Sequence, residues 1–114
     1  MLSDADYLHQ AAGLLGELRG MWGSALNEFG RGVLFYYFGT TDRAQHMFWR
    51  THDPQHPGYR APGAQEFRSV VEDCYRLGDE LAGEALAAAD ERTTVVILSD
   101  HGFAPMYRKF HLNA

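Results

Sequence analysis

Two aspartate–histidine pairs in this sequence have the side chains and the spacing of metal ligands. Asp42 and His46 lie four residues apart, and Asp100 and His101 are adjacent. Carboxylate oxygens and imidazole nitrogens suit Zn²⁺, with Mn²⁺ or Fe²⁺ as alternatives, whereas Ca²⁺ and Mg²⁺ prefer oxygen ligands. The pairs predict two divalent cations, and cations held about 3.5 to 4 Å apart can clamp a phosphoryl group.

Each pair also has an interpretation that needs no metal. On a helix Asp42 and His46 share one face, but Asp42 could complement the helix macrodipole while His46 packs beside neighbouring aromatic side chains. Asp100 and His101 precede Gly102, and in a turn after a strand both side chains can converge on one point. A polar turn is the alternative there. The presence of both pairs in one chain favours the metal interpretation.

The hydrophobic pattern indicates which elements position these pairs. Apolar residues that recur every three or four positions predict helices, and apolar runs without alternation predict strands covered on both faces. Clusters of glycine and proline mark the turns and the loop. The predicted elements of a single partial domain, 1–114, are a helix over 4–29, a strand over 33–38, a short helix over 42–50, a loop over 51–63, a helix over 64–89, a strand over 94–99 and a tail over 100–114.

The order of these elements predicts an α/β fold. Strand, crossover helix and strand form a right-handed βαβ unit of a mostly parallel sheet flanked by helices. Because parallel strands end at one edge of a sheet, both Asp/His pairs would meet at that edge. Two such strands leave sheet edges uncovered, so we expect the chain to need the remainder of a catalytic domain or to associate with itself.

Composition and charge restrict the classes of function. The 114 residues are 46 % hydrophobic and 13 % aromatic, which is enough to bury a core. The net charge of -5 and the scattered basic residues leave no nucleic-acid surface evident. The single cysteine, Cys74, excludes an internal disulfide. No signal peptide or transmembrane segment is visible, which favours a cytoplasmic protein without a membrane partner.

Three segments of the sequence resemble the alkaline phosphatase superfamily, specifically its branch of type I phosphodiesterases and nucleotide pyrophosphatases. These segments are 41–49, 53–57 and 99–103, and the resemblance covers nearly the whole chain. It implies a partial alkaline-phosphatase-like domain with a bimetal centre. The substrates it implies are small-molecule phosphate esters. The expected activity is metal-dependent hydrolysis of phosphate esters, with Zn²⁺ as the expected metal and Mn²⁺ as the alternative.

The resemblance also assigns the four metal ligands to two separate cations. Asp42 and His46 resemble the ligands of one metal, which the family completes with a later histidine. Asp100 and His101 resemble the ligands of the other, which the family completes with an early aspartate and a Ser or Thr nucleophile. No Ser or Thr of this chain matches the nucleophile, so we predict an internal fragment of a catalytic domain with no catalytic residue and negligible turnover alone.

Two other functions are compatible with the same four ligands. A phosphomutase of this superfamily, like the cofactor-independent phosphoglycerate mutases, shares the bimetal chemistry and usually employs Mn²⁺. A non-catalytic metal-binding or interaction module would use the same ligands structurally and would be stabilised by a partner. The residues alone do not identify the substrate.

Overall fold

Helices form all the regular secondary structure in this computed structural model, which describes residues 3–108 and 112. The chain divides into two compact units, Met1–Tyr37 and Phe38–Ala114. Its elements in chain order are α1 (Asp4–Glu28), α2 (Thr40–His52), two turns of 3₁₀ helix (Pro57–Arg60 and Ala64–Phe67) and α3 (Val70–Ala88).

The first unit is built on α1, which begins with a capping box. Ser3 Oγ accepts a hydrogen bond from the Asp6 backbone N–H at 3.1 Å, and the Asp6 carboxylate accepts one from the Ser3 backbone N–H at 3.1 Å. These bonds satisfy backbone donors that have no partner within the helix. Tyr36 Oη donates to the Leu18 carbonyl oxygen at 2.9 Å, and its ring meets Trp22 edge-on at 5.1 Å. The segment after α1 therefore folds back onto that helix.

The second unit has its core where α2 packs against α3 and the 3₁₀ turns. Phe48 is completely buried, and its ring centroid lies 5.6 Å from that of Phe67. The Thr51 hydroxyl, also fully buried, lies 2.9 Å from the Phe48 carbonyl oxygen and 3.0 Å from the Phe67 carbonyl oxygen. Val71 and Leu81 of α3 are also buried. This packing fixes which face of α2 is left for other contacts.

The predicted α/β fold is wrong for the part of the chain that the structure describes. Neither 33–38 nor 94–99 forms a strand, so the predicted parallel sheet and βαβ unit are absent from residues 3–108. A strand requires a ladder of backbone hydrogen bonds to a neighbour as well as a suitable composition. These two segments have the composition but no ladder. Val33 is 94 % exposed and Ile97 is 72 % exposed, contrary to the burial that their apolar character predicted.

The helices lie in the predicted regions but differ at their ends. α2 extends two residues further at each end than the predicted 42–50. The single helix predicted over 64–89 is divided, because Ala64–Phe67 forms a 3₁₀ turn and α3 begins only at Val70. Gly63 precedes that turn with φ at +78°, a left-handed backbone conformation that suits glycine. The sequence pattern did not resolve this break.

Within residues 3–108, no helix is both long enough and apolar enough to cross a membrane. A spanning helix needs about 20 consecutive residues that are predominantly apolar. The longest helix, α1, has 25 residues but carries charged side chains along its length, including Asp4, Asp6, Glu17 and Arg19.

Candidate metal centre

Asp42 occupies the first turn of α2, and one of its carboxylate oxygens lacks a hydrogen-bond partner. Oδ1 is buried and accepts no hydrogen bond, although the side chain as a whole is 34 % exposed. Leaving a buried carboxylate oxygen unsatisfied costs free energy. The positive end of the helix macrodipole offsets part of this cost. A cation beside Oδ1 would offset the remainder.

Two imidazole rings present their Nε2 atoms to this oxygen. The distance from Asp42 Oδ1 is 3.5 Å to His46 Nε2 and 3.7 Å to His101 Nε2. Both distances are too long for good hydrogen bonds. Ligands of a tetrahedral Zn²⁺ each lie about 2.0 to 2.2 Å from the metal, which separates them by about 3.3 to 3.6 Å. The spacing of these donors is close to that of ligands that share one cation.

The carbonyl oxygen of Gly102 determines the tautomer of His101. His101 Nδ1 lies 2.8 Å from this oxygen, and because a carbonyl can only accept, Nδ1 must carry the proton. Nε2 of the neutral ring then has a free lone pair, as in metal-ligating histidines oriented through their other nitrogen. The Gly102 bond raises the pKa of His101, and the charges of Asp100 and Asp42 add to the rise. Protons therefore compete with a metal for Nε2.

Phe103 packs against α2 and so holds the preceding residues Asp100 and His101 near that helix. Its ring centroid lies 5.0 Å from the His46 ring in an edge-on arrangement and 5.4 Å from the Trp49 ring. Aromatic pairs at these separations are attractive beyond their buried area. The packing of Phe103 explains how residues far apart in the sequence come to face the same carboxylate.

Asp100 lies at the edge of this group. Its Oδ1 is 3.9 Å from His101 Nε2, and its side chain is 82 % exposed. His101 Nε2 is thus slightly nearer to the Asp42 carboxylate than to that of Asp100, although the sequence assigned His101 and Asp42 to different cations. The described residues contain no assembled cluster of three or more His, Cys, Asp or Glu side chains around one cation position. The donors fit a divalent metal in chemistry and spacing as a partial ligand set.

A second polar cluster, which the sequence did not predict, lies after α2. Tyr107 Oη donates to Asp53 Oδ2 at 2.9 Å, and His56 Nε2 lies 3.2 Å from the Met106 carbonyl oxygen. The sequence assigned these side chains to a loop and to the tail without pairing them. The helical spacing of Asp42, His46 and Asp53 places these three on one face, but it does not indicate Tyr107 as the partner of Asp53.

A groove of about 460 Å³ lies between α2 and α3, beside Phe103. Trp49 and Tyr75 are aromatic residues that line it, and Arg76 also lines it. Arg76 already pairs with Asp73 at 2.8 Å and with Glu72 at 3.6 Å, both on its own helix. This guanidinium is therefore poorly placed to serve as a phosphate ligand.

Asp42 and His46 of α2, with His101 beside them, form a candidate site for a divalent metal. Residues 17–114, most of the chain, match the family described as type I phosphodiesterase / nucleotide pyrophosphatase. The chain belongs to this family, which confirms the resemblance found in the sequence. No curated relative and no solved structure matches the chain.

Proposed function

We propose that this chain carries metal ligands of a phosphohydrolase domain that cleaves phosphate esters of small molecules. Membership of the type I phosphodiesterase / nucleotide pyrophosphatase family supports hydrolase chemistry at phosphate linkages. The observation that carries the metal dependence is Asp42 Oδ1, a buried carboxylate oxygen without a hydrogen bond that faces His46 Nε2 and His101 Nε2.

Zn²⁺, or Mn²⁺ as the alternative, would supply Lewis acidity and neutralise phosphoryl oxygens. Asp42 provides a negative charge at the start of α2, and His46 and His101 provide imidazole nitrogen donors. The Gly102 carbonyl oxygen keeps the proton of neutral His101 on Nδ1, so that Nε2 is available. The Asp100 carboxylate is the fourth proposed ligand, and it lies beside His101 on the exposed side. These assignments use all four Asp/His residues that the sequence singled out.

None of the hydroxyl groups of this chain is assigned as the nucleophile. Ser99 directly precedes the proposed ligand Asp100, but its hydroxyl donates to the His101 carbonyl oxygen at 2.5 Å. We propose that the nucleophile and the remaining ligands come from a larger catalytic domain, and that turnover by the 114 residues alone is negligible. The exposure of Val33 and Ile97 supports association with further protein surface.

Metal titration of the purified chain tests the proposal. Zn²⁺ and Mn²⁺ affinities are measured by calorimetry for the native chain, for His101→Ala and for His9→Ala. His9 is an exposed histidine on α1, a helix of the first unit that contributes no proposed ligand, so its variant removes the same ring without removing a proposed ligand. We expect His101→Ala to weaken binding at least tenfold and His9→Ala to leave it unchanged, since removing one supporting group at a metal site already costs about 10- to 100-fold.

Equal affinities of the native chain and His101→Ala would contradict the assignment. Equal losses in His101→Ala and His9→Ala would indicate nonspecific binding to histidines. Robust hydrolysis of a phosphodiester by the native 114-residue chain would refute the proposal that its nucleophile lies elsewhere.

A further inference from the structure

One face of α2 and its C-cap carries a stripe of residues that continues beyond the proposed ligands. Asp42, His46, Trp49 and Asp53 follow one another at intervals of four, three and four residues, which places them on one side of the helix. Phe48 belongs to a different face, which is buried against the core. The stripe is therefore the side of α2 that receives other parts of the second unit.

The segment after Asp100 follows this stripe from one end to the other. His101 faces Asp42, Phe103 packs against the middle of the stripe, and Tyr107 reaches Asp53. From Asp42 to Asp53 a helix advances about 16 Å. The six steps from His101 to Tyr107 span at most about 20 Å when fully extended. The segment is thus long enough to reach from one end of the stripe to the other. Residues 101–107 form no helix, strand or turn, so the segment depends on its contacts with the stripe.

The end of the segment is held by two contacts. Tyr107 Oη donates to Asp53 Oδ2 at 2.9 Å, while Asp53 Oδ1 accepts from the Gln55 backbone N–H at 2.9 Å and is fixed by it. His56 Nδ1 accepts from the Gly58 backbone N–H at 3.0 Å, so the neutral ring carries its proton on Nε2. That proton is donated to the Met106 carbonyl oxygen, 3.2 Å away. Asp53 and His56, which follow α2, therefore form hydrogen bonds to the consecutive residues Met106 and Tyr107.

We propose that Asp53, His56 and Tyr107 form a clasp that holds residues 100–107 along α2 and thereby positions His101 beside Asp42. The claim about His101 as a ligand rests on the proposed metal function, whereas the clasp itself does not. The three residues are positioning residues and touch no metal or substrate. The hydrogen bond from Gln55 lowers the pKa of Asp53, the bond from Tyr107 adds to this, and the pKa of Tyr107 is raised by the same bond.

The clasp is tested first without metal, by NMR of the full 114-residue chain. Tyr107→Phe removes the hydroxyl and keeps the ring, and Tyr75→Phe is the matched control, because its hydroxyl makes only a long contact of 3.4 Å to Gln45. We expect the cross-peaks between the Phe103 and Trp49 rings to weaken in Tyr107→Phe and to persist in Tyr75→Phe. Unchanged cross-peaks in Tyr107→Phe would overturn the clasp.

Zn²⁺ affinity then tests the positioning of His101. We expect Tyr107→Phe and Asp53→Ala to bind Zn²⁺ about two- to tenfold more weakly than the native chain, the loss of one modest hydrogen bond. Asp53→Asn keeps an acceptor for the Tyr107 hydroxyl and should restore most of the affinity, while Tyr75→Phe should behave as the native chain. Rescue by asparagine separates the hydrogen bond from the charge of Asp53.

The outcomes separate the clasp from the proposed function. If the native chain binds no Zn²⁺, the proposed metal function fails, and the proposed positioning of a metal ligand by the clasp fails with it. The cross-peaks between the Phe103 and Trp49 rings still decide whether the clasp orders residues 100–107. If Tyr107→Phe loses the cross-peaks but keeps full Zn²⁺ affinity, the clasp holds the segment without positioning a ligand. That result would overturn the positioning claim and leave the metal function intact.

Discussion

Replacing Phe48 by alanine should destabilise the second unit more than any change on the exposed side of α2. Phe48 is 0 % exposed, and truncation of a buried phenylalanine costs about 3 to 5 kcal/mol through lost burial and the cavity left behind. Its contact with the Phe67 ring, 5.6 Å away, places the loss toward the upper part of that range. Small domains are stable by only about 5 to 15 kcal/mol, so the expected loss is a large fraction of the total.

Urea unfolding followed by circular dichroism measures this loss, with Met47→Ala as the control. Met47 is the neighbouring residue on α2 and is 38 % exposed, so its truncation should cost about 1 kcal/mol or less. Phe48 packs α2 into this core, and α2 carries the proposed ligands Asp42 and His46. We therefore expect Phe48→Ala to lose metal affinity together with its helical signal. A loss of stability below 1 kcal/mol in Phe48→Ala, or one equal to that of Met47→Ala, would refute the packing described for this unit.

Two further predictions concern the ends of the described helices. Ser3→Ala removes the side-chain oxygen of the capping box and should reduce the stability of α1 by about 1 kcal/mol, seen as faster hydrogen exchange in its first turn; unchanged exchange would contradict the cap. The bond between Tyr107 and Asp53 should contribute above the ordinary pKa of an aspartate and be lost as pH falls through the lowered pKa of Asp53. At high pH the bond should be lost as pH rises through the raised pKa of Tyr107. In Asp53→Ala the pKa of Tyr107, measured by NMR titration, should fall toward the ordinary tyrosine value of 10.0. An unchanged pKa of Tyr107 in Asp53→Ala would contradict the bond.

The helical regions were accessible from the sequence because the signals that form them are local. Ser3 lies just before a run with helical apolar spacing, and its side chain reaches a backbone group only three residues away. Phe48 could be recognised as a core residue by type, but Gly63 and the 3₁₀ turn that follows it divide what the pattern indicated as one helix. The local sequence pattern thus indicated where the helices lie but not the residues at which they begin and end.

The strands were predicted wrongly because a strand is a relation between two segments. Val33 and Ile97 have the β-branched side chains that favour strands, but composition cannot supply the backbone partner that a ladder requires. In the described chain both residues are largely exposed and neither belongs to a strand. The prediction inferred burial from apolar character alone.

The candidate site was predictable in its residue types but not in its arrangement. The spacing of Asp42 and His46 placed both on one helical face, and their assignment as ligands stays a prediction. The approach of His101 to Asp42 depends on the packing of Phe103 and on the pairing of Tyr107 with a residue 54 positions away. Neither contact leaves a periodic signal in the sequence, so only the folded chain reveals them.

We propose that His46 and His101 bind a divalent cation together with Asp42. Long-range ¹H–¹⁵N NMR of the histidine rings, recorded during a Zn²⁺ titration, tests it most directly because each imidazole nitrogen is observed separately. We expect the signals of His46 Nε2 and His101 Nε2 to shift together and to saturate at the same ratio of metal to protein, while those of His9 and His56 do not change. Shifts of equal size at His9, or none at His46 and His101, would contradict it.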